Sequence, residues 1–332
     1  MSLHGGIPGA IADDVRRGER LEWWTLAWMT SVVAVMWLVM GSSQAMKAAV
    51  IEDLLSLVPA IVFLLSSHWE RKQPNARFPF GYRRANSLAF LVAATALLSV
   101  GGFLVYESIT TLVRQEHPTV GGITLFGHTI WLGWLMIAAL AYSVVPPIIL
   151  GHFKHPIATR IRDKVLHTDA LMQKADWQTG LAGIAGIIGI GMGWWWADAT
   201  AALFISLSII KDAVGALEKA VAELLDGTPR SLDSNAVSED AERLIAALEA
   251  RFGDVDVRLR ETGRYIAAEV DCAPPEVVPD AAGLMGEALA WRLASLSFRP
   301  TAEGPQHSVI PAKAGISPSH QDAAFRSRPS PG

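Results

Sequence analysis

The chain has 332 residues, 51% of them hydrophobic and only 18% charged, where a soluble protein of this size carries about a quarter charged residues. A formal net charge of −4 argues against nucleic acid as a partner, and a single cysteine, Cys272, excludes an intrachain disulfide framework and any CxxC metal site. The apolar residues are gathered into runs long enough to cross a hydrocarbon core of ~30 Å, which is the composition of an integral membrane protein.

The first 22 residues are polar and carry Arg16, Arg17 and Arg20. The apolar run behind them is too long for a signal-peptide core and reads as a retained first span. Six runs follow one another, at roughly 23–43, 46–67, 86–109, 128–151, 168–192 and 194–216, each near the ~20 residues that a spanning helix needs. Long continuous runs are the pattern of helices rather than of the short alternating strands of a barrel. Lysine and arginine concentrate at the N-terminus, between runs two and three (Arg71, Lys72, Arg77, Arg83, Arg84) and between runs four and five (Lys154, Arg160, Arg162, Lys164). The opposite loops offer Lys47 and Arg114, so both termini are expected in the cytoplasm. Trp23 and Trp24, and the cluster Trp194, Trp195 and Trp196, mark membrane interfaces.

After "DGTP" (Asp226 to Pro229) the composition becomes that of a soluble domain. "SEDAERLIAALEARF" is an amphipathic helix, and "DVDVRLRE" and "RYIAAEVDC" alternate around a "TG" turn as a hairpin. A second helix is expected over about Ala281 to Ser295. These elements predict a small α/β domain over 230–297 whose sheet lacks a closing strand. The remainder, 298–332, is rich in Pro, Ser and Gly without periodicity and reads as a disordered or replaced tail.

The residues that carry chemistry lie inside the runs. A charge at the centre of a span costs about 2.5–3.5 kcal/mol even on the lenient insertion scale, so each one needs a reason. Run five opens with "DALMQKAD": Asp169 and Asp176 are seven apart and share a helix face with Met172 and Gln173 between them, while Lys174 points elsewhere and can reach the interface. Asp169 is close enough to the interface to serve as a cap instead. Run two holds Glu52 and Asp53, with Ser56 one turn on, and Pro59 removes a backbone bond to the Leu55 carbonyl beside them. Adjacent acids do not share one narrow face, and Asp53 is the better candidate for a site. Carboxylates from two helices with little cation nearby call for protons or a metal ion, and several acids together favour a divalent cation. His152, His155 and His167 crowd one end of the runs and are placed to guide a cation, though three histidines in a short loop are commonly only loop residues. Gly180, Gly183, Gly186 and Gly189 form a small-residue ridge suited to close helix packing.

Six runs, an acid in run two, "FPFGYRRANS" (Phe78 to Ser87) opening run three, "DALMQKAD" in run five and an α/β tail together resemble the cation diffusion facilitator family of divalent metal/proton antiporters, over roughly residues 23–297. The resemblance implies six transmembrane helices with a ferredoxin-like C-terminal domain, here apparently incomplete. It implies alternating-access efflux of a divalent cation (Zn, Fe, Mn, Co or similar) against protons, by a homodimer in the bilayer of a bacterial inner membrane, without a prosthetic group and without enzymatic activity. The family's site takes two residues four apart from span two and His-x-x-x-Asp from span five. Asp53 and Asp176 match; Leu57 and Met172 stand where the other two ligands are usual. The expected metal set is therefore Asp53 and Asp176, completed among Glu52, Ser56, Gln173 and Asp169. An oxygen-rich shell leans toward manganese or ferrous iron, and the Met172 thioether pulls the other way. The rival readings are a channel or scaffold whose acids only bind helices together, and an intramembrane enzyme, for which the runs offer neither a nucleophile nor a histidine cluster.

Overall fold

The structure, a computed structural model of the chain, describes residues 7–40, 51–115, 122–125 and 128–300. The apolar runs appear as helices: α1 (Gly9–Met40), α2 (Val58–Glu70), α3 (Arg84–Arg114), α4 (Leu132–Ile161), α5 (Lys164–Gly191) and α6 (Ala197–Leu224). Ahead of α2 the chain is already helical at 51–55 and passes through a turn at 56–57, where Pro59 cannot donate to Leu55. Among the described residues, four helices are long and apolar enough to cross a membrane: Ile51–Glu70, Arg84–Arg114, Gly133–Ile161 and Ala199–Leu224. Helix α5 falls short of that measure because Asp169, Gln173, Lys174, Asp176 and a row of glycines dilute its apolar content. Helix α1 is 32 residues, about 48 Å, so the polar N-terminal segment is largely a continuation of the first run.

Two elements differ from the expectation around run four. A short antiparallel hairpin, β1 (Gly122–Leu125) with β2 (His128–Trp131), precedes α4, so the helix starts at Leu132. Lys154 and Arg160, counted above as loop cations, are on α4, and the corner between α4 and α5 is only Arg162 and Asp163.

Helix α5 packs against α2, α3, α4 and α6 and is the central helix of the bundle. Its glycine ridge makes this possible: a Cβ on Gly180 would lie 2.3 Å from Val144 on α4, and one on Gly189 would lie 2.7 Å from Ala197 at the start of α6. Around its other half a buried apolar cluster joins Ala96, Leu97, Val100 and Leu104 of α3 to Ile209 and Ala213 of α6.

The C-terminal domain opens with α7 (Glu239–Phe252), capped by the Ser238 hydroxyl accepting from Ala241 and stabilised by Glu239, Asp240 and Glu242 in its first turn. Strands β3 (Val257–Thr262) and β4 (Tyr265–Val270) form the expected antiparallel hairpin. The expected second helix does not extend to Ser295. It stops as α8 (Ala281–Met285), because Gly286 takes a φ of +77° that ends the helix after one turn. The chain then makes a 3-10 turn and enters β5 (Leu293–Phe298), parallel to β4. This is the closing strand that seemed to be missing, and it gives a three-stranded mixed sheet in the order β3-β4-β5. Leu244 and Leu248 of α7 cover Leu259, Ile266, Leu293 and Leu296 in one core. The tail from 301 onward lies outside the described residues.

The hairpin tip docks the domain onto the helix ends. Gly263, at φ +60°, donates its backbone N–H to Ser87 at 3.0 Å and to Glu223 at 2.9 Å. Arg264, 2% exposed, pairs with Asp163 at 2.6 Å and Glu70 at 3.3 Å. Burial alone would lower the guanidinium's pKa, but Glu70 and Asp163 more than reverse this and hold it above the usual arginine value. Asp163 also accepts from Asn86 at 2.8 Å and from the Leu166 backbone, so it caps α5 while gripping the tip. Lys164 adds pairs to Glu223, at 3.0 Å, and to Glu261. Behind the tip, Arg292 pairs with Asp240 and reaches Glu261 at 3.3 Å.

Candidate metal centre

Helix α5 and the segment before α2 bring the two predicted acid groups together. The Ser56 hydroxyl donates to Asp176 Oδ1 at 2.6 Å. The other oxygen, Asp176 Oδ2, is buried and has no hydrogen-bond partner among the described residues, and the same holds for Glu52 Oε1. Asp176 feels the charges of Glu52 and Asp53, and Asp169 less strongly. The turn at 56–57 is what permits this meeting, since it rotates Ser56 inward while Glu52 and Asp53 stay half-buried one turn earlier. Two further residues join the group, of which Thr179 is absent from the sequence reading and Glu107 is ambiguous in it. Thr179, one turn beyond Asp176, reaches the Glu52 carboxyl, and Glu107 of α3 adds a further negative charge near Glu52. Their signal was present in the i, i+3 spacing from Asp176 and in a lone acid within run three. Neither is distinctive without knowing which helices touch.

Buried carboxylate oxygens without partners are costly, and native proteins rarely keep them unless an ion, a water or a proton serves them. Two such oxygens among clustered acids, with Ser56 and Thr179 hydroxyls beside them, form an oxygen donor set suited to a divalent cation.

The other predicted residues are placed differently. Gln173 is fully buried with neither amide atom partnered among the described residues, and its Cβ faces Gly151 of α4. Met172 is fully buried in the apolar cluster between α3 and α6. Met172→His would therefore bury a polar ring among Leu97, Val100 and Ala213, and is expected to lower stability by about 1–3 kcal/mol with little change in metal preference. Thermal denaturation and a metal-competition series on the two proteins check both halves. Lys174 does not run to the interface but pairs with Asp212 of α6 at 3.0 Å.

Asp169 is drawn into a separate cluster that corrects the idea of acids without a nearby cation. Lys154 of α4, fully buried, bridges Asp169 and Glu22 of α1, the latter at 2.8 Å. The triad ties three helices together. Lys154→Met would leave two facing carboxylates buried, and is expected to cost about 3–5 kcal/mol, read as a lower midpoint in thermal unfolding, with Lys154→Arg milder. Farther out, the acids Asp256 and Asp271 gather around Arg258 at 3.4 and 2.5 Å. The side chains of His128 and Asp198 lie outside the described residues.

Comparison with known proteins places the chain in a family. Residues 24–225 match the family described as cation efflux transmembrane domain. The zinc transporter ZitB of Escherichia coli (strain K12) is 30% identical over 185 residues, 54% of this chain and 54% of that protein. A cadmium, cobalt and zinc/H(+)-K(+) antiporter of Bacillus subtilis (strain 168) is 25% identical over 191 residues, 55% of this chain and 54% of the relative. A probable cation efflux system protein of Mycobacterium tuberculosis (strain ATCC 25618 / H37Rv) is 26% identical over 247 residues, 73% of this chain and 68% of the relative. The chain spans about half the length of the first two of these relatives. The matched domain takes in the second half of α1, the whole of α2 to α6 and both acid groups, and the chain belongs to the cation diffusion facilitator family of cation efflux proteins.

Proposed function

We propose that this chain exports a divalent metal cation in exchange for protons, by alternating access, as a homodimer in a bacterial inner membrane. All six helical runs cross the bilayer in this reading, and both termini and the C-terminal domain face the cytoplasm. The observation that carries it is the joining of Ser56 and Asp176 across two helices beside a second unpartnered acid oxygen on Glu52. Asp53, Asp176 and Glu52 would bind the ion in their deprotonated forms, with Ser56 holding one Asp176 oxygen in place. A proton and a metal compete for the same oxygens, so protonation from the far side weakens the ion's hold as the helices rock. That competition is the coupling.

The names of the relatives include zinc, cadmium and cobalt. The oxygen-rich donor set here extends the range toward manganese and ferrous iron. Proteoliposomes loaded on one side with each ion, with and without a pH gradient, test the reading. Metal movement opposed to proton movement is expected. Flux that ignores the proton gradient would indicate a channel, and no flux of any ion would leave the acids with a purely structural role.

A further inference from the structure

A second group of metal-ligand side chains lies away from the acids just described, where the α4–α5 corner meets the segment that leads into the C-terminal domain. His155 is on the last turns of α4 and exposed, and His167 is on the first turn of α5 and 6% exposed. Their rings face each other with centroids 5.5 Å apart. Asp233, in the loop between α6 and α7, brings Oδ1 to 3.9 Å from His167 Nε2, too long for a hydrogen bond. One donor atom from each of the three lies within 4.8 Å of the others. His167 Nδ1 is buried and has no partner among the described residues, so one of the ring's two nitrogens is left unused by them.

The loop holding Asp233 is fixed rather than trailing. The Ser231 backbone N–H donates to the Ala236 carbonyl at 2.9 Å, and Lys219 of α6 donates to the carbonyl of Leu232, the residue before Asp233. Lys219 also faces the His167 ring, and its positive charge works against a cation there, while Asp233 and Asp212 offset it. Ligands around a tetrahedral Zn2+ stand about 3.3 Å apart, so the group needs to close by up to about 1.5 Å. Two of its three members are exposed side chains with the freedom to do so.

We propose that His155, His167 and Asp233 form a second binding site for a borderline divalent cation such as Zn2+ or Co2+, distinct from the transport acids. Two imidazoles and one carboxylate suit these ions better than Mg2+ or Ca2+, and three protein ligands leave a fourth position open to water. An open position makes an exchangeable site rather than a permanent structural one. Its ligands come from α4, α5 and the α6–α7 loop, so an ion there ties the helix corner to the segment that carries the C-terminal domain. The site does not rest on the transport reading.

The test uses the full-length, tag-free protein in detergent with Co2+ as the probe, read by its visible d–d absorption. In a background of Asp53→Ala and Asp176→Ala, which removes the transport acids, one Co2+ per chain is expected to remain bound and to be displaced by Zn2+. Adding His155→Ala and Asp233→Asn, both at exposed positions, is expected to weaken that binding at least about 100-fold. Circular dichroism and gel filtration confirm that each protein is folded. Co2+ held equally well after the added changes, or no Co2+ held once the transport acids are gone, overturns the site. Neither result touches metal flux through the unaltered protein, so the two readings fail separately.

Discussion

Asp176→Ala is expected to reduce metal flux in proteoliposomes to background, a loss of at least about 100-fold, while the protein still inserts and elutes as a folded species. The reason lies in the environment of the side chain. One of its oxygens is held by Ser56 at 2.6 Å, the other is buried and unpartnered among the described residues, and the neighbouring acids Glu52 and Asp53 carry the same sign. Removing it takes a ligand away and also relieves repulsion, so folding should not suffer as transport does. Asp53→Ala should act likewise. Ser56→Ala, which deletes only the hydrogen bond that orients Asp176, should cost a few-fold, in line with a single charge-assisted bond of about 1.5–3 kcal/mol partly replaced by water. Flux in Asp176→Ala equal to that of the unaltered protein would remove Asp176 from the site and leave Glu52 and Asp53 to be explained by helix packing.

The second large effect is expected at the hairpin tip. Arg264→Ala should destabilise the protein by about 3–5 kcal/mol, because Asp163 and Glu70 would remain buried without their cation. The loss should appear as a lower unfolding midpoint and as new protease sensitivity between residues 226 and 238, where the domain is tethered to α6. Arg264→Lys should recover little, since a single ammonium does not serve Asp163, Glu70 and Ser67 together as the guanidinium does. A midpoint unchanged in Arg264→Ala would mean that the domain is held mainly by the pairs of Lys164 and Arg292.

These two positions mark the limits of what the chain's text reveals. Asp176 was legible because a carboxylate inside an apolar run has few physical reasons to be there. Arg264 was not, since it stands in a polar hairpin where arginine is ordinary, and its partners Glu70 and Asp163 lie outside the apolar runs, where acids are ordinary too. The apolar runs predicted helices well because hydrophobic length is a strong signal. The segment from Ala281 to Ser295 misled for the opposite reason. Ala, Leu and Glu there favour a helix, and pairing with β4 overrides that preference from Leu293 onward. Lys154 was misread for want of its neighbours: a lysine near the end of a run is commonly solvated, and only the approach of α1 and α5 makes it the centre of a buried triad. Asp233 gave no sign in a Ser-rich loop, and gains meaning only beside two histidines from other elements.

The docked hairpin bears on where the molecule divides. The family match ends at residue 225, which invites the view that the membrane part is one heritable module and the rest an appendage. Yet Glu70, Asp163 and Glu223, all inside that stretch, find partners at residues 263 and 264. The boundary of the matched domain is therefore not a boundary of folding. Any exchange of C-terminal domains between relatives has to carry a compatible loop of glycine and arginine with it, or supply another cation for the acids left behind. Over evolutionary time this binds the drift of a two-residue turn to that of three helix ends, although nearly two hundred positions separate the farthest of them.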